Sequence, residues 1–146
     1  MYDSSSSQTE KSRHLVMALQ EERSALWALY CEMAEMKPYF SNLEILRPIL
    51  SQFSQLLIDY VSLGHFGIYE YLLSEKQPPA EILSCVNRLY PAFSSTTASA
   101  ISFNDVYDDG KRNFKTDNLV NDLSVLGENL ARRMELEDTL CSMLLH

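Results

Sequence analysis

Two carboxylates in this sequence stand where a helical core would be expected to form. Glu22 falls between Leu19 and Leu26 on one apolar stripe, and Glu137 falls between Met134 and Cys141 on another. A carboxylate carried into a core has to be neutralised or paired, because its charge loses its hydration there. One chemistry that would answer this is a metal- or oxygen-binding centre in a helical bundle, with His65 as a nitrogen ligand. The other is plain ion pairing, of Glu137 with Arg133 and of Glu22 with the flanking Arg23. Bundles that hold two irons use several Glu and two Glu-x-x-His pairs one turn apart. No such pair exists here, and the other histidines, His14 and His146, sit near the ends of the sequence. Ion pairing is therefore the expectation, with no metal and no cofactor. Nucleophilic and phosphate chemistry leave no trace either: no Gly-rich loop, Ser/His/Asp set or Cys/His pair is recognisable. The expected activity is binding, not catalysis.

Helices must position these residues. Only four glycines and five prolines punctuate the 146 residues, fewer turns than a strand-rich fold requires. Residues 1–8, with the run Ser4–Ser7, read as a tail ahead of a single helical domain over 9–146. Ser7 and Glu10 have the spacing of a capping box. Leu15, Leu19, Leu26, Leu29, Tyr30, Met33 and Met36 then recur at helical spacing, which predicts a first helix from about Thr9 to Met36. Lys37-Pro38 stops it. Ser41 and Glu44 suggest a second capping box, and Pro48 suits the first turn of the helix that follows. That helix runs through Phe53, Leu57 and Tyr60, can pause at Gly64, and reaches about Ser74 before Gln77-Pro78-Pro79. A shorter helix with Ile82, Val86 and Leu89 is expected to end at Tyr90-Pro91, and another to carry Phe93, Ala100 and Ile101. Tyr107 to Asn113 reads as a loop from its Asp-Gly content. A last helix, Thr116 to Leu145, places Leu119, Leu123, Leu126, Leu130, Met134, Leu140 and Cys141 on one stripe. The expected fold is all-α: an up-and-down helical bundle with a four-helix core and additional short helices.

Charge narrows the range of partners. Twenty acidic side chains against twelve basic ones give a net charge of −8. Such a surface repels a phosphate backbone, which argues against direct nucleic-acid binding and favours a basic protein surface. Cys31, Cys85 and Cys141 are odd in number and form no Cys-x-x-Cys pair, as expected of reduced thiols. Met1 to Glu10 show no basic segment followed by an apolar run, and no stretch approaches about 18 apolar residues. A cytoplasmic monomer away from membranes is expected.

The middle helix has two apolar faces when residues 50–73 are placed at about 100° per residue. One face collects Leu50, Phe53, Leu57, Tyr60, Val61, Gly64, Ile68, Tyr71 and Leu72, and points to the bundle. The other collects Asp59, Ser62, Leu63, Phe66, Tyr69, Glu70 and Leu73, with apolar and aromatic side chains set between two carboxylates. That composition suits a partner-binding patch, or a face buried by another segment of the same chain.

The segment Leu57-Ile58-Asp59-Tyr60-Val61-Ser62-Leu63-Gly64-His65-Phe66-Gly67-Ile68-Tyr69-Glu70 resembles the signature of the Rsd/AlgQ family of anti-sigma factors. Arg23, Leu26, Tyr30 and Lys37-Pro38 fit the family's first helix. Tyr90-Pro91, Phe103-Asn104-Asp105 and Asp108 to Gly110 look like its AlgQ branch. Leu126-Gly127, Leu130, Arg133 and Leu136-Glu137-Asp138 fit its last helix. One departure is Met17-Ala18-Leu19, where family members carry an Asp-Arg-Trp-type run. The resemblance implies a partner: the C-terminal helix-turn-helix domain of the primary sigma factor, which reads the −35 promoter element. Binding would keep sigma from promoter DNA and core RNA polymerase, with Asp59, Ser62, Leu63, His65, Phe66, Tyr69 and Glu70 as the contact residues. A helical adaptor that regulates a different cytoplasmic protein is the alternative.

Overall fold

A computed structural model describes residues 4–73, 79–107 and 116–145. Helix α1 spans Ser4–Ala34, and a 3-10 turn at Tyr39–Ser41 leads into α2, Leu43–Ser62. α2 passes into a π-helical stretch, Leu63–Tyr69, and one more α turn, α3, Glu70–Leu73. α4 spans Ala80–Tyr107, and a 3-10 turn at Thr116–Asn118 opens α5, Leu119–Leu145. The described residues contain no strand.

Rising residue numbers on each long helix meet falling numbers on its neighbour. Tyr30 lies 6.2 Å from Phe53, and Leu15 and Leu63 both close on Gly67, across α1 and α2. Phe53 and Phe103 join α2 to α4 at 5.8 Å, and the Tyr107 hydroxyl donates to Asp122 across α4 and α5. Trp27 and Tyr30 of α1 bond to Met134 and Leu123 of α5, which closes the ring. The result is the up-and-down bundle that the stripes predict. Its core collects Leu19, Leu26, Met33, Leu50, Phe53, Leu57, Phe93, Phe103, Leu119, Leu126 and Leu130, all buried. Each such side chain contributes about 1.5–3 kcal/mol on leaving water.

The boundaries differ from expectation in instructive ways. α1 starts at Ser4 and not at Thr9. The Ser41–Glu44 capping box does not form: Asn42 is the N-cap of α2, with no side-chain cap bond. Its amide instead donates to the Met36 and Pro38 carbonyls, at 2.9 and 3.3 Å, and ties the connector to the end of α1. Pro48 lies inside α2, beyond the first turn, and Pro91 inside a continuous α4. A helix-interior proline removes the N–H that the carbonyl four residues back would accept. Glu44, Pro48, Asn87 and Pro91 are all exposed, so water can satisfy the two carbonyls. Val86 and Phe93 anchor α4 in the core on both sides of Pro91. The expected break at Gln77-Pro78 and the loop from Asp108 to Asn113 lie outside the described residues.

A polar network occupies the centre of the bundle. Arg133 and Glu137 are fully buried, one turn apart on α5, with Arg133 Nε 3.0 Å from Glu137 Oε2. Tyr60 of α2 donates its hydroxyl to Glu137 Oε1, which also accepts from Arg23 Nη2 of α1 at 3.3 Å. Arg133 Nη1 donates to Thr97 Oγ1 of α4 at 2.6 Å and to Thr96 Oγ1 at 3.3 Å. The guanidinium also sits 4.0 Å above the Phe93 ring. Its Nη2 donates to the Val61 carbonyl at 3.1 Å. This last bond falls where the hydrogen-bond register changes from α to π, a place that leaves a main-chain acceptor without its helical donor. Gly64 permits the contact, since a Cβ there would stand 2.8 Å from Glu137 Oε2 and 2.9 Å from Arg133 Nη2.

Burial pushes the Glu137 carboxyl up, against the pull of Arg133, Tyr60 and Arg23. It pushes the Arg133 guanidinium down, and Glu137 holds it back. Removing one member of such a pair strands the other in the core. Arg133→Met is therefore expected to cost about 3–5 kcal/mol, read as a fall in the urea midpoint, and Arg133→Met with Glu137→Leu to recover much of it. A single variant that unfolds with the wild type would contradict this account. Gly127 offers a second check, because a Cβ there would stand 2.8 Å from Tyr30 Cζ and closer still to its hydroxyl. Gly127→Ala is expected to destabilise by about 1–3 kcal/mol, and adding Tyr30→Phe to relieve part of the loss in thermal melts.

Candidate partner-binding face

The outer side of α2 and the π stretch carry the residues singled out by the wheel. Asp59 is exposed, and Phe66 is 64% exposed, the largest exposed fraction among the big apolar side chains of the described residues. Ser62, Leu63 and His65 are half-buried. The side chains of Tyr69 and Glu70 lie outside the described residues. Leu63 packs against the core and reaches over Gly67, where a Cβ would meet its Cδ1 at 2.9 Å. His65 lies edge-on to Phe66 at 4.9 Å and parallel to Phe93 of α4 at 6.3 Å. The residues thus divide: Asp59 and Phe66 face solvent, while Leu63 and His65 pack inward on the backbone that carries them. The wheel treated all of them alike because it assumed an α register through Gly64. The π stretch advances more slowly around the axis, so from Leu63 onward that projection does not hold.

Glu22 joins this face from α1. One of its carboxylate oxygens is enclosed and has no hydrogen-bond partner. Burial raises its pKa, and the nearby Asp59 raises it further. The expected Glu22–Arg23 pair does not form. Arg23 turns to α5, where it bonds Glu137 and Asp138 at 3.3 and 2.9 Å. Two neighbouring residues on one helix point to different partners, so adjacency in sequence was the wrong guide. The juxtaposition of Glu22 and Asp59 belongs to the packing of two helices, and no single wheel contains it. Of Met17-Ala18-Leu19, Leu19 is fully buried, Ala18 half-buried and Met17 59% exposed. Met17 borders a shallow outer surface of α1 with Gln20, Glu21 and Ser24.

Among the described residues, no three His, Cys, Asp or Glu side chains gather to hold a metal ion. Glu137 already has the positive counter-charge of Arg133, and His65 is held among aromatic rings. Burial pushes the Cys141 thiol up to about 11, which keeps it protonated and unreactive at neutral pH. No described helix is long and apolar enough to cross a membrane.

The Glu22 carboxylate makes the face sensitive to pH. Its pKa is raised above the ordinary 4.5, so the folded chain holds that proton more tightly than the unfolded one. The stability that protonation brings is present below the ordinary value and lost as pH rises through the raised one. Glu22→Gln escapes that loss. It is expected to melt higher than the wild type at pH 7, with the difference closing as the pH falls through the raised value. Equal melting temperatures at pH 7 would show that the enclosed oxygen carries no cost.

The family model described as regulator of RNA polymerase sigma(70) subunit, Rsd/AlgQ, matches residues 2–145. The chain is similar to the Regulator of sigma D of Enterobacter sp. (strain 638), 34% identical over 128 residues that cover 84% of this chain and 75% of that protein. It is similar to the Regulator of sigma D of Yersinia enterocolitica serotype O:8 / biotype 1B, 28% identical over 137 residues, or 88% of this chain and 79% of that protein. The Regulator of sigma D of Yersinia pestis is also 28% identical, over 88% of this chain and 78% of its own length. No solved structure matches. With its whole helical bundle inside the match, this chain belongs to the Rsd/AlgQ family, the regulators of the sigma(70) subunit of RNA polymerase.

Proposed function

We propose that the protein is an anti-sigma factor that binds, as a monomer and one to one, the C-terminal domain of the primary sigma factor. That domain reads the −35 element through a helix-turn-helix, and its DNA-gripping surface is basic. The supporting observation is the face on α2: an exposed aromatic, Phe66, with an exposed carboxylate, Asp59, and the under-partnered carboxylate of Glu22 beside it. A basic helix laid there would neutralise Glu22 and Asp59 and bury Phe66. Membership of a family of sigma regulators and the net charge of −8 support the same partner.

The mechanism is competition. Sigma held on this face is withdrawn from promoter DNA and from core polymerase by mass action, and no bond is made or broken. The protein acts without catalysis, in the cytoplasm where polymerase works.

Two variants test the reading. If Asp59 meets a sigma arginine or lysine in a partly desolvated contact, Asp59→Ala is expected to weaken sigma binding by about 2–5 kcal/mol. A merely solvated charge would give less than about 1 kcal/mol. Phe66→Ala is expected to weaken binding through loss of an aromatic anchor. Both side chains are exposed, so the melting temperature is expected to stay near that of the wild type. Calorimetry with the sigma domain, at low and high salt, reads the affinity and its screening. Undetectable binding at low salt between two folded proteins would turn the assignment to the adaptor alternative.

A further inference from the structure

The π stretch that carries Phe66 is seated against three other helices. From α5, Arg133 Nη2 donates to the Val61 carbonyl at 3.1 Å, at the junction where the α register gives way to π. Gly64 lies beside that guanidinium, since a Cβ on it would stand 2.9 Å from Nη2. From α4, the Phe93 ring stacks with His65 at 6.3 Å and 17°. His65 in turn meets the Phe66 ring edge-on at 4.9 Å. From α1, Leu15 approaches Gly67, where a Cβ would lie 3.4 Å from Leu15 Cδ2. Phe66 alone of these side chains is mostly exposed, at 64%.

Two of these three contacts lead back to Arg133. Its guanidinium is fully buried and sits 4.0 Å above the Phe93 ring, the ring that stacks with His65. It is fixed in turn by Glu137 Oε2 at 3.0 Å and Thr97 Oγ1 at 2.6 Å. A planar fork presents its N–H groups in set directions, so one rigid body meets the carbonyl, the carboxylate and the hydroxyl. A π register is rare in a helix. In the α form the Val61 carbonyl would accept the His65 N–H and would not need the arginine. The bond from Arg133 therefore favours π over α at the place where the direction of Phe66 is set.

Resting on the reading of this face as the sigma-binding surface, we propose that Arg133 is a positioning residue for sigma binding. From the core it holds the π register and, through Phe93, the His65 ring, and so fixes how Phe66 is presented. Being wholly buried, it touches no partner itself. Asp59 belongs to the α-register part of α2, ahead of the junction. Arg133 thus governs Phe66 and leaves Asp59 alone.

A cycle of full-length variants tests this, by calorimetry with the sigma domain and by amide chemical shifts of the free protein. Arg133→Met with Glu137→Leu removes the pair without stranding either charge. Arg133→Lys keeps a charge beside Glu137 and gives up the fork, and it carries the cycle if the pair variant does not fold. Each is expected to shift the amides of 62–69 and to weaken sigma binding about tenfold, the cost of ordering one loosened aromatic and its backbone. In a Phe66→Ala background the same change is expected to cost less than about twofold, because the group it positions is gone. In an Asp59→Ala background the full loss of about tenfold is expected. Equal losses in both backgrounds would overturn the proposal, since Arg133 would then act on the fold as a whole. So would variants that keep wild-type affinity, or that leave the amides of 62–69 in place. A wild-type protein that does not bind sigma overturns the reading of the face and this role with it, whereas tight wild-type binding matched by the variants overturns the positioning role alone.

Discussion

The Arg133–Glu137 pair is the interaction on which the rest of this bundle depends. Its guanidinium touches α2 at Val61 and α4 at Phe93, Thr96 and Thr97, while its carboxylate partner reaches Tyr60 on α2 and Arg23 on α1. Every long helix therefore has one hydrogen-bonding group whose partner sits at a single place along the axis. A slip of α5 by one turn, about 5.4 Å, would leave all of them unpaired in a dry interior. Apolar packing alone tolerates such slips far better, since one leucine resembles another. Burial of the pair contributes little net stability against a well-packed apolar substitute. What it contributes is register.

That register extends to the surface. The π stretch begins where Arg133 takes the Val61 carbonyl, and Phe66 stands three residues into it. The exposed aromatic is thus mounted on backbone fixed from the core side, which lowers the ordering cost of binding. Beside it, Glu22 and Asp59 hold like charges close together, and Arg23, the neighbour of Glu22 in sequence, is committed to α5. The arrangement is mildly unfavourable in the free chain, since burial and Asp59 both raise the Glu22 pKa.

Much of the architecture could be read from the residues. The stripes of α1 and α5 and the inner face of α2 mark the core almost residue by residue, because a 3.6-residue repeat over seven or eight turns leaves little ambiguity. The pairing of Arg133 with Glu137 was legible for the same reason, as an i, i+4 contact within one helix. Helix ends were less legible. Pro48 and Pro91 look like breaks in one dimension, and their tolerance comes from a solvent-facing side that only the assembled bundle defines. The candidate face was legible in part. Asp59 followed from the wheel, but the π register that sets where Phe66 stands did not, since it answers to a guanidinium on a different helix. Glu22 was misread as a core carboxylate of Arg23, because its real neighbour lies 37 positions away on α2.

The π stretch has a consequence for how this chain can vary over evolutionary time. A π segment equals an α-helix with one residue inserted, and removing a residue between Leu63 and Tyr69 would restore the α form with no loss of helix. The faces of α3, Glu70–Leu73, would then turn by about 100° relative to α2. Point substitutions can tune the chemistry of Asp59 or Phe66 one side chain at a time. A single codon lost in this short stretch would instead re-aim the turn beyond it in one step, and would have to move Leu72 out of its place in the core. Length variation here is therefore a route by which related bundles could acquire different partners on the same scaffold.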